Sequence, residues 1–330
     1  MSDNSVFPRK LHPGDTVRVV APALSRAFVL EHDHRSVIAE RFAALGLHLT
    51  YGEHVDERDD FDSSSITSRV ADLHAAWADP GVAAILTVIG GFNSNELLPH
   101  LDWNLIRGNS KVFCGFSDIT ALQNAILAMT GLVTYAGPHW SSFGMRDHFE
   151  ESLAWFTEAI FSNDPIELRP SEGWTDDRWF LDQDHRSPRV NEGWWPLQDG
   201  AAAGRIVGGN LCTLNLLQGT SFMPALNGAL LFVEADESSR VGDFARDLAS
   251  LLQVSDAGGI TGLVIGRFQQ ASGMTRLLLE QIIERQPVLV AVPILANVDL
   301  GHTNPLMTLP IGGRATIVVD KGSRLTITAH

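Results

Sequence analysis

Cysteine is scarce in this chain: Cys114 and Cys212 are the only two among 330 residues, too few for a disulfide framework. Both lie in apolar strand-like or helix-like contexts, where reduced, buried thiols are expected, so the compartment reads as reducing. Runs of Lys or Arg are missing too. With 24 basic against 39 acidic side chains the formal charge is −15, which repels phosphate backbones and anionic lipid surfaces. Nucleic acid and membrane are therefore not expected as partners, and a small molecule or peptide is. No apolar stretch reaches the roughly 20 residues of a spanning helix. Met1 to His12 is polar and reads as no secretory signal, so the expected location is cytoplasmic. Metal-ligand spacing is lacking as well. Neither H-E-x-x-H nor C-x-x-C occurs, and the one dense cluster, Glu31-His32-Asp33-His34, sets its two histidines only two residues apart. No metal is expected.

What is present is apolar mass, 45% of the residues, enough for sizeable cores and a length nearer two domains than one. Disordered, collagen-like and disulfide-scaffold classes are excluded. Strand-like and helix-like patterns alternate through the first half: strands at 15–20, 47–51, 82–89 and 111–116, with helices around 37–45, 67–77, 95–101 and 118–129. That alternation predicts a parallel sheet covered on both faces. From about 162 to 203 the texture changes to Trp174, Trp179, Trp194 and Trp195 among Asp, Arg, Pro and Gly, read as a long irregular connection. Beyond it come helices at 210–217, 243–252 and 274–285 and strands at 229–234, 262–268, 288–292, 315–319 and 324–328. The expected layout is an N-terminal α/β domain at 1–161, the Trp-rich connection at 162–203, and a smaller strand-rich α/β domain at 204–330.

Four local features could carry chemistry. In Lys111 to Thr120, K-V-F-C-G-F-S-D-I-T, a buried strand turns into a helix at Ser117, which pushes the hydroxyl out of the sheet and aims following N–H groups at an adjacent oxyanion. The same Ser-Asp pair also reads as a plain helix cap. Gly90-Gly91, directly after a buried strand, either lets backbone approach an anion or simply turns the chain; it is neither a Walker motif nor a G-x-G-x-x-G fingerprint. Glu234 ends an apolar strand, where a carboxylate can orient an imidazole or be solvated. His302 lies in the turn-forming G-H-T-N-P, unlike His48 or His74 in polar or helix-surface contexts.

Taken in order, serine at an elbow, carboxylate at a strand end and histidine in a loop repeat the chain order used by α/β-hydrolases. The segments L-H-P-G-D-T-V-R-V-V-A-P-A (11–23), I-G-G-F-N-S-N-E-L-L-P-H-L-D (89–102), G-F-S-D-I-T (115–120), G-R-I-V-G-G-N-L (204–211), F-V-E-A-D-E (232–237) and G-H-T-N-P-L (301–306) resemble the LD-carboxypeptidase family of serine peptidases. The resemblance spans almost the whole chain and is nearer the branch of microcin C immunity proteins than the peptidoglycan-recycling branch.

That resemblance implies an α/β fold: an N-terminal flavodoxin-like or Rossmann-like parallel-sheet domain and a C-terminal strand-rich, swivelling-type domain. It implies Ser117 as nucleophile, Glu234 as orienting carboxylate, His302 as general base, and the backbone N–H groups of Gly91 and Asp118 as oxyanion donors. No cofactor is implied, and a homodimer is. The implied substrate is a small peptide or peptidyl-nucleotide amide, with Trp174, Trp179 or Trp194 stacking on the base and Asn210 in the pocket for an acidic side chain. One departure stands out: where that branch suggests a basic residue after the carboxylate strand, this chain has Ser238, with Arg240 two further on. Muropeptide trimming by an LD-carboxypeptidase and non-catalytic binding of a peptide or nucleotide are the rival readings.

Overall fold

The computed structural model describes residues 5–29 and 34–330. Residues 31–33 of the Glu-His-Asp-His cluster, and the first four residues of the polar start, lie outside the described residues. Among the described residues the first eight strands are β1 (Thr16–Val20), β2 (His48–Tyr51), β3 (Val82–Thr87), β4 (Val112–Gly115), β5 (Thr134–Ala136), β6 (Ile166–Leu168), β7 (Gly173–Trp174) and β8 (Arg189–Val190). The other eight are β9 (Trp195–Gln198), β10 (Gly200–Asn210), β11 (Ala229–Glu234), β12 (Gly262–Gly266), β13 (Ile294–Val298), β14 (Leu309–Ile311), β15 (Arg314–Val319) and β16 (Arg324–Ala329).

One sheet has the order β14-β5-β4-β3-β1-β2, with β2, β1, β3, β4 and β5 mutually parallel and β14 antiparallel at the edge. The order 2-1-3-4-5 is the flavodoxin-like arrangement, in which the chain reverses direction across the sheet between β1 and β3 and opens a crevice beyond the strands' carboxyl ends. The central strand β3 is covered on both faces by helices, and all six of its residues, Val-Ala-Ala-Ile-Leu-Thr, are buried. Helices begin and end on local signals. Ser65 caps Ile66–Ala78 by accepting from the Ser68 N–H, and Thr120–Thr130 stops at Gly131, whose φ of +76° suits glycine.

The second sheet, β6-β16-β15-β10-β11-β12-β13-β9, is parallel from β10 to β13 and antiparallel at its other contacts. It has eight strands against the six of the first sheet. The two sheets also share the chain: β14, from late in the sequence, edges the first sheet, while β6, from within 162–203, edges the second.

That Trp-bearing stretch is more ordered than its composition suggested, holding β6, the β7–β8 hairpin, β9 and the start of β10. The sequence of β10, G-A-A-A-G-R-I-V-G-G-N, has poor intrinsic strand preference. It pairs because its neighbours need the room: a Cβ on Gly208 would lie 1.7 Å from the Phe232 carbonyl oxygen, and one on Gly204 2.6 Å from the Leu230 nitrogen. The strand expected at 288–292 is not formed. Pro287 opens a 3₁₀ turn, Pro287–Leu289, and Val290 is 77% exposed, so the pairing strand is the buried β13 that follows Pro293. Cys114 is buried as expected, but Cys212 is exposed on the short helix Leu211–Asn215.

Candidate active site

At the end of β4 the chain passes through extended Phe116 and then turns sharply at Ser117, whose φ is +61°. A non-glycine residue in the left-handed region is strained and persists only where its surroundings over-determine it. Here Gly90 does part of that: a Cβ at position 90 would lie 3.0 Å from the Ser117 Cβ and 3.1 Å from its Oγ, so only glycine lets the β3 loop pass against the serine. The same imaginary Cβ would be 3.4 Å from the Asp118 nitrogen, which puts the Gly90-Gly91 loop beside the Ser117-Asp118 peptide. Asp118 is the second residue of the 3₁₀ turn Ser117–Ile119, so its N–H has no acceptor within that turn. Its buried carboxylate accepts from the Ser94 N–H at 2.9 Å, and the Ser94 hydroxyl donates to the Asp118 carbonyl at 2.7 Å, clamping the two loops together. Burial pushes the Asp118 carboxyl above its usual range, and the Ser94 bonds pull it part of the way back.

Two other strand ends of the second sheet face this elbow. Glu234 is the last residue of β11 and its side chain is 4% exposed; His302 follows β13 and is 20% exposed. The Ser117 Oγ stands 3.0 Å from His302 Nε2, and His302 Nδ1 stands 2.8 Å from Glu234 Oε2. Gly301, at φ +100°, makes this approach possible, because a Cβ there would be 2.5 Å from Glu234 Oε2. Burial alone would lower the His302 imidazole. The charge and hydrogen bond of Glu234, with help from Asp236 and Glu237, outweigh it, and the net displacement is above 6.5. Asp236 is itself held below the ordinary carboxylate range: burial opposes this, but bonds from Ser238 and Asn210 and the His302 charge prevail.

These groups open on a cavity of about 620 Å³ lined in part by Gly91, Ser117, His139, Arg178, Trp179 and His302. Of the residues singled out from sequence, Ser117, Glu234, His302, Gly91 and Asp118 come together. Asn210 pairs with Glu234 in register and caps the helix Leu211–Asn215, with its Oδ1 accepting from Thr213 N–H and hydroxyl and from the Cys212 thiol. It lines a small side cavity that also touches Ser117 and Glu234. The three tryptophans separate. Trp179 lines the main cavity, 5.7 Å in centroid distance from the His34 ring. Trp174 and Trp194 lie outside the lining of this cavity: Arg267 lies over the Trp174 ring, and the Trp194 indole N–H donates to buried Asp299 at 3.4 Å. Ser238 is in the wall with its N–H and hydroxyl turned to Asp236, while Arg240 stands at the start of the helix Val241–Leu252, its backbone N–H donating to the Asp243 carboxylate. The basic side chain of the wall is Arg178, 2.9 Å from Glu237.

Two features escaped the sequence reading. Arg178 sits in the irregular stretch, where no spacing marks it. His139 lies in the turn Gly137-Pro138-His139-Trp140, and the criterion that drew attention to His302, a histidine among turn residues after a strand, applies to it equally. No group of three or more His, Cys, Asp or Glu side chains suited to a metal ion occurs among the described residues, and no helix among them is long and apolar enough to cross a membrane.

A serine elbow on a flavodoxin-like sheet, facing histidine and carboxylate from a second sheet, is the frame of a serine-type hydrolase. The chain belongs to the LD-carboxypeptidase family: residues 17–137 match that family's N-terminal domain and residues 203–317 its C-terminal domain. It is 46% identical to YocD of Bacillus subtilis (strain 168) over 98% of this chain and all of that one. An MccF-like protein from Bacillus anthracis str. Ames, at 48% identity, superposes with a TM-score of 0.97 over 99% of this chain and 100% of its own. The microcin C7 self-immunity protein MccF of Escherichia coli is 32% identical over 83% of this chain and 82% of its own length. A structure of MccF in complex with aspartyl sulfamoyl adenosine, 26% identical, superposes with a TM-score of 0.87 over 98% of this chain and 99% of that one.

Proposed function

We propose that this serine peptidase cleaves the amide of a small peptidyl-nucleotide conjugate, with Ser117, His302 and Glu234 as its catalytic triad. The observation that carries the reading is the continuous contact from Ser117 Oγ through both ring nitrogens of His302 to Glu234. In this account His302 Nε2 takes the Ser117 proton as Oγ bonds to the amide carbonyl carbon. Glu234 accepts from Nδ1–H, which fixes the tautomer and supports the imidazolium that forms. The Gly91 and Asp118 N–H groups receive the oxyanion, a donor of this kind being worth about 3 kcal/mol of barrier. As the C–N bond breaks, His302 returns the proton to the leaving amine. Water, deprotonated by the same imidazole, then releases the acyl group and restores Ser117.

The likeness to MccF, solved with aspartyl sulfamoyl adenosine, supports a substrate with an acyl group joined to a nucleotide-like amine. Trp179 is the stacking surface for its base, and Arg178 the partner for an acidic acyl side chain in place of a basic residue at 238. The family resemblance also supports a homodimer in the cytoplasm. A turnover assay offering both a peptidyl-nucleotide amide and a muropeptide tetrapeptide tests the substrate. Release of the nucleotide-like amine with the muropeptide left intact is expected; the reverse makes the enzyme a muropeptide LD-carboxypeptidase.

A further inference from the structure

His139 is buried, 3% exposed, yet it lines the active-site cavity. Its ring is held on two sides. Phe116, the residue before Ser117, stacks on it with centroids 4.2 Å apart and planes 25° apart, and the other contact of Phe116 is the His302 ring at 5.2 Å. Nδ1 lies 3.0 Å from the Thr87 hydroxyl at the end of β3. Backbone bonds fix the segment further, with Trp140 N–H donating to Thr87 O and Ser141 N–H to Val88 O. The imidazole is thus wedged between the strand leading to Gly90-Gly91 and the one leading to Ser117.

The tautomer follows from hydrogen-bond accounting. Among the described residues, the Thr87 hydroxyl contacts no side-chain or backbone acceptor other than His139 Nδ1. If Nδ1–H donated to the hydroxyl, the hydroxyl proton would be left buried without an acceptor, a costly arrangement. Thr87 therefore donates to Nδ1 and the ring proton sits on Nε2. Burial, reinforced by the His302 charge, pushes the His139 pKa down to about 3, so the ring stays neutral wherever the enzyme works. Nε2 makes no hydrogen bond among the described residues, although the residue is nine-tenths buried and faces the cavity.

We propose that His139 is a substrate-binding residue whose Nε2–H donates to an oxygen acceptor of the substrate, a carbonyl or carboxylate oxygen beside the scissile amide. A neutral donor suits this position. It fixes the substrate without placing a second positive charge near His302 when that ring takes up the serine proton. The inference deepens the function proposed above and rests on it for the identity of the ligand.

Calorimetric binding of aspartyl sulfamoyl adenosine to Ser117→Ala, and to the same protein carrying His139→Phe or His139→Gln, tests it without needing turnover. Phenylalanine keeps the ring on Phe116 and removes the donor, whereas glutamine restores an N–H. A Kd about tenfold weaker for His139→Phe, recovered to within about threefold by His139→Gln, is expected for one lost hydrogen bond. In the turnover assay with Ser117 present, the loss should appear in KM more than in kcat. Equal affinity for His139→Phe and the parent overturns the proposal, as does equal weakening by both variants, which marks a purely structural wall. If that binding pattern holds while the enzyme with Ser117 present turns nothing over, the catalytic reading fails and the His139 assignment stands. If Ser117→Ala itself does not bind the ligand, both fall.

Discussion

Alanine at position 301 would separate backbone strain from active-site geometry. Gly301 has φ +100°, where a side chain costs about 1–3 kcal/mol of strain. A Cβ there would also stand 2.5 Å from Glu234 Oε2, 2.8 Å from its Cβ and 3.0 Å from its Cδ, all shorter than the 3.4 Å at which ordinary contact begins. Oε2 must retreat by about 0.9 Å to restore that contact. Moving directly away from the ring, it would take the 2.8 Å bond to His302 Nδ1 out of hydrogen-bonding range. Misplacement of about 1 Å in a catalytic group can cost on the order of 10²-fold in rate. Gly301→Ala should therefore lower kcat by about that factor while the protein remains folded. Gly219→Ala is the matched control: its φ is +75°, but nothing lies within 4 Å of the added Cβ. Both variants should lose a few degrees of Tm, at about 2–4 °C per kcal/mol for a chain somewhat shorter than this one. Only Gly301→Ala should lose activity. Full activity in Gly301→Ala, or an equal loss in Gly219→Ala, would refute the link between this glycine and the Glu234–His302 contact.

Because Glu234 holds the His302 imidazole above 6.5, and only the neutral ring can accept the serine proton, kcat/KM should fall with decreasing pH through a limb above 6.5; Glu234→Gln should move that limb downward and slow the reaction, as a pH–rate profile will show. In the second sheet, Asp299 is fully buried 2.5 Å from buried Arg267 and accepts from the Ser171 hydroxyl at 2.6 Å. Asp299→Ala leaves that guanidinium unpaired and should cost about 3–5 kcal/mol in denaturant unfolding, with a loss under about 1 kcal/mol counting against the pair as an anchor of the 171–195 stretch. Trp179→Ala should weaken a nucleotide ligand by about 1–3 kcal/mol in a binding titration. Trp194→Phe should leave the affinity unchanged, since its indole is spent on Asp299.

The elements legible in sequence were those whose pattern is set by local burial. β3 and β11 are buried from end to end and apolar up to their last residue because both of their faces are covered, and strand ends carry Gly90-Gly91, Ser117 and Glu234 at positions that short motifs can mark. What stayed hidden depends on partners distant in the chain. Nothing in its composition marks β10 as a strand; it exists because glycine lets it lie against Phe232 and Leu230. Residues 309–311 are not marked as a strand by their sequence; they pair with β5, from far earlier in the chain, and only the folded chain reveals that they close the first sheet. The tryptophans illustrate the limit for site residues. Trp174, Trp179 and Trp194 look alike in a polar stretch, and what separates them is which indole finds Arg267, the cavity or Asp299.

The central claim is that Ser117 attacks the substrate with His302 as base, and intact-protein mass spectrometry during turnover of a peptidyl-nucleotide amide tests it most directly. Rapid acid quench should reveal a fraction of the enzyme heavier by the acyl group, with the added mass mapping to the peptide that contains Ser117, and none in Ser117→Ala, which should also lack turnover. Degradation of the substrate by Ser117→Ala at the rate of the unsubstituted enzyme would contradict the account.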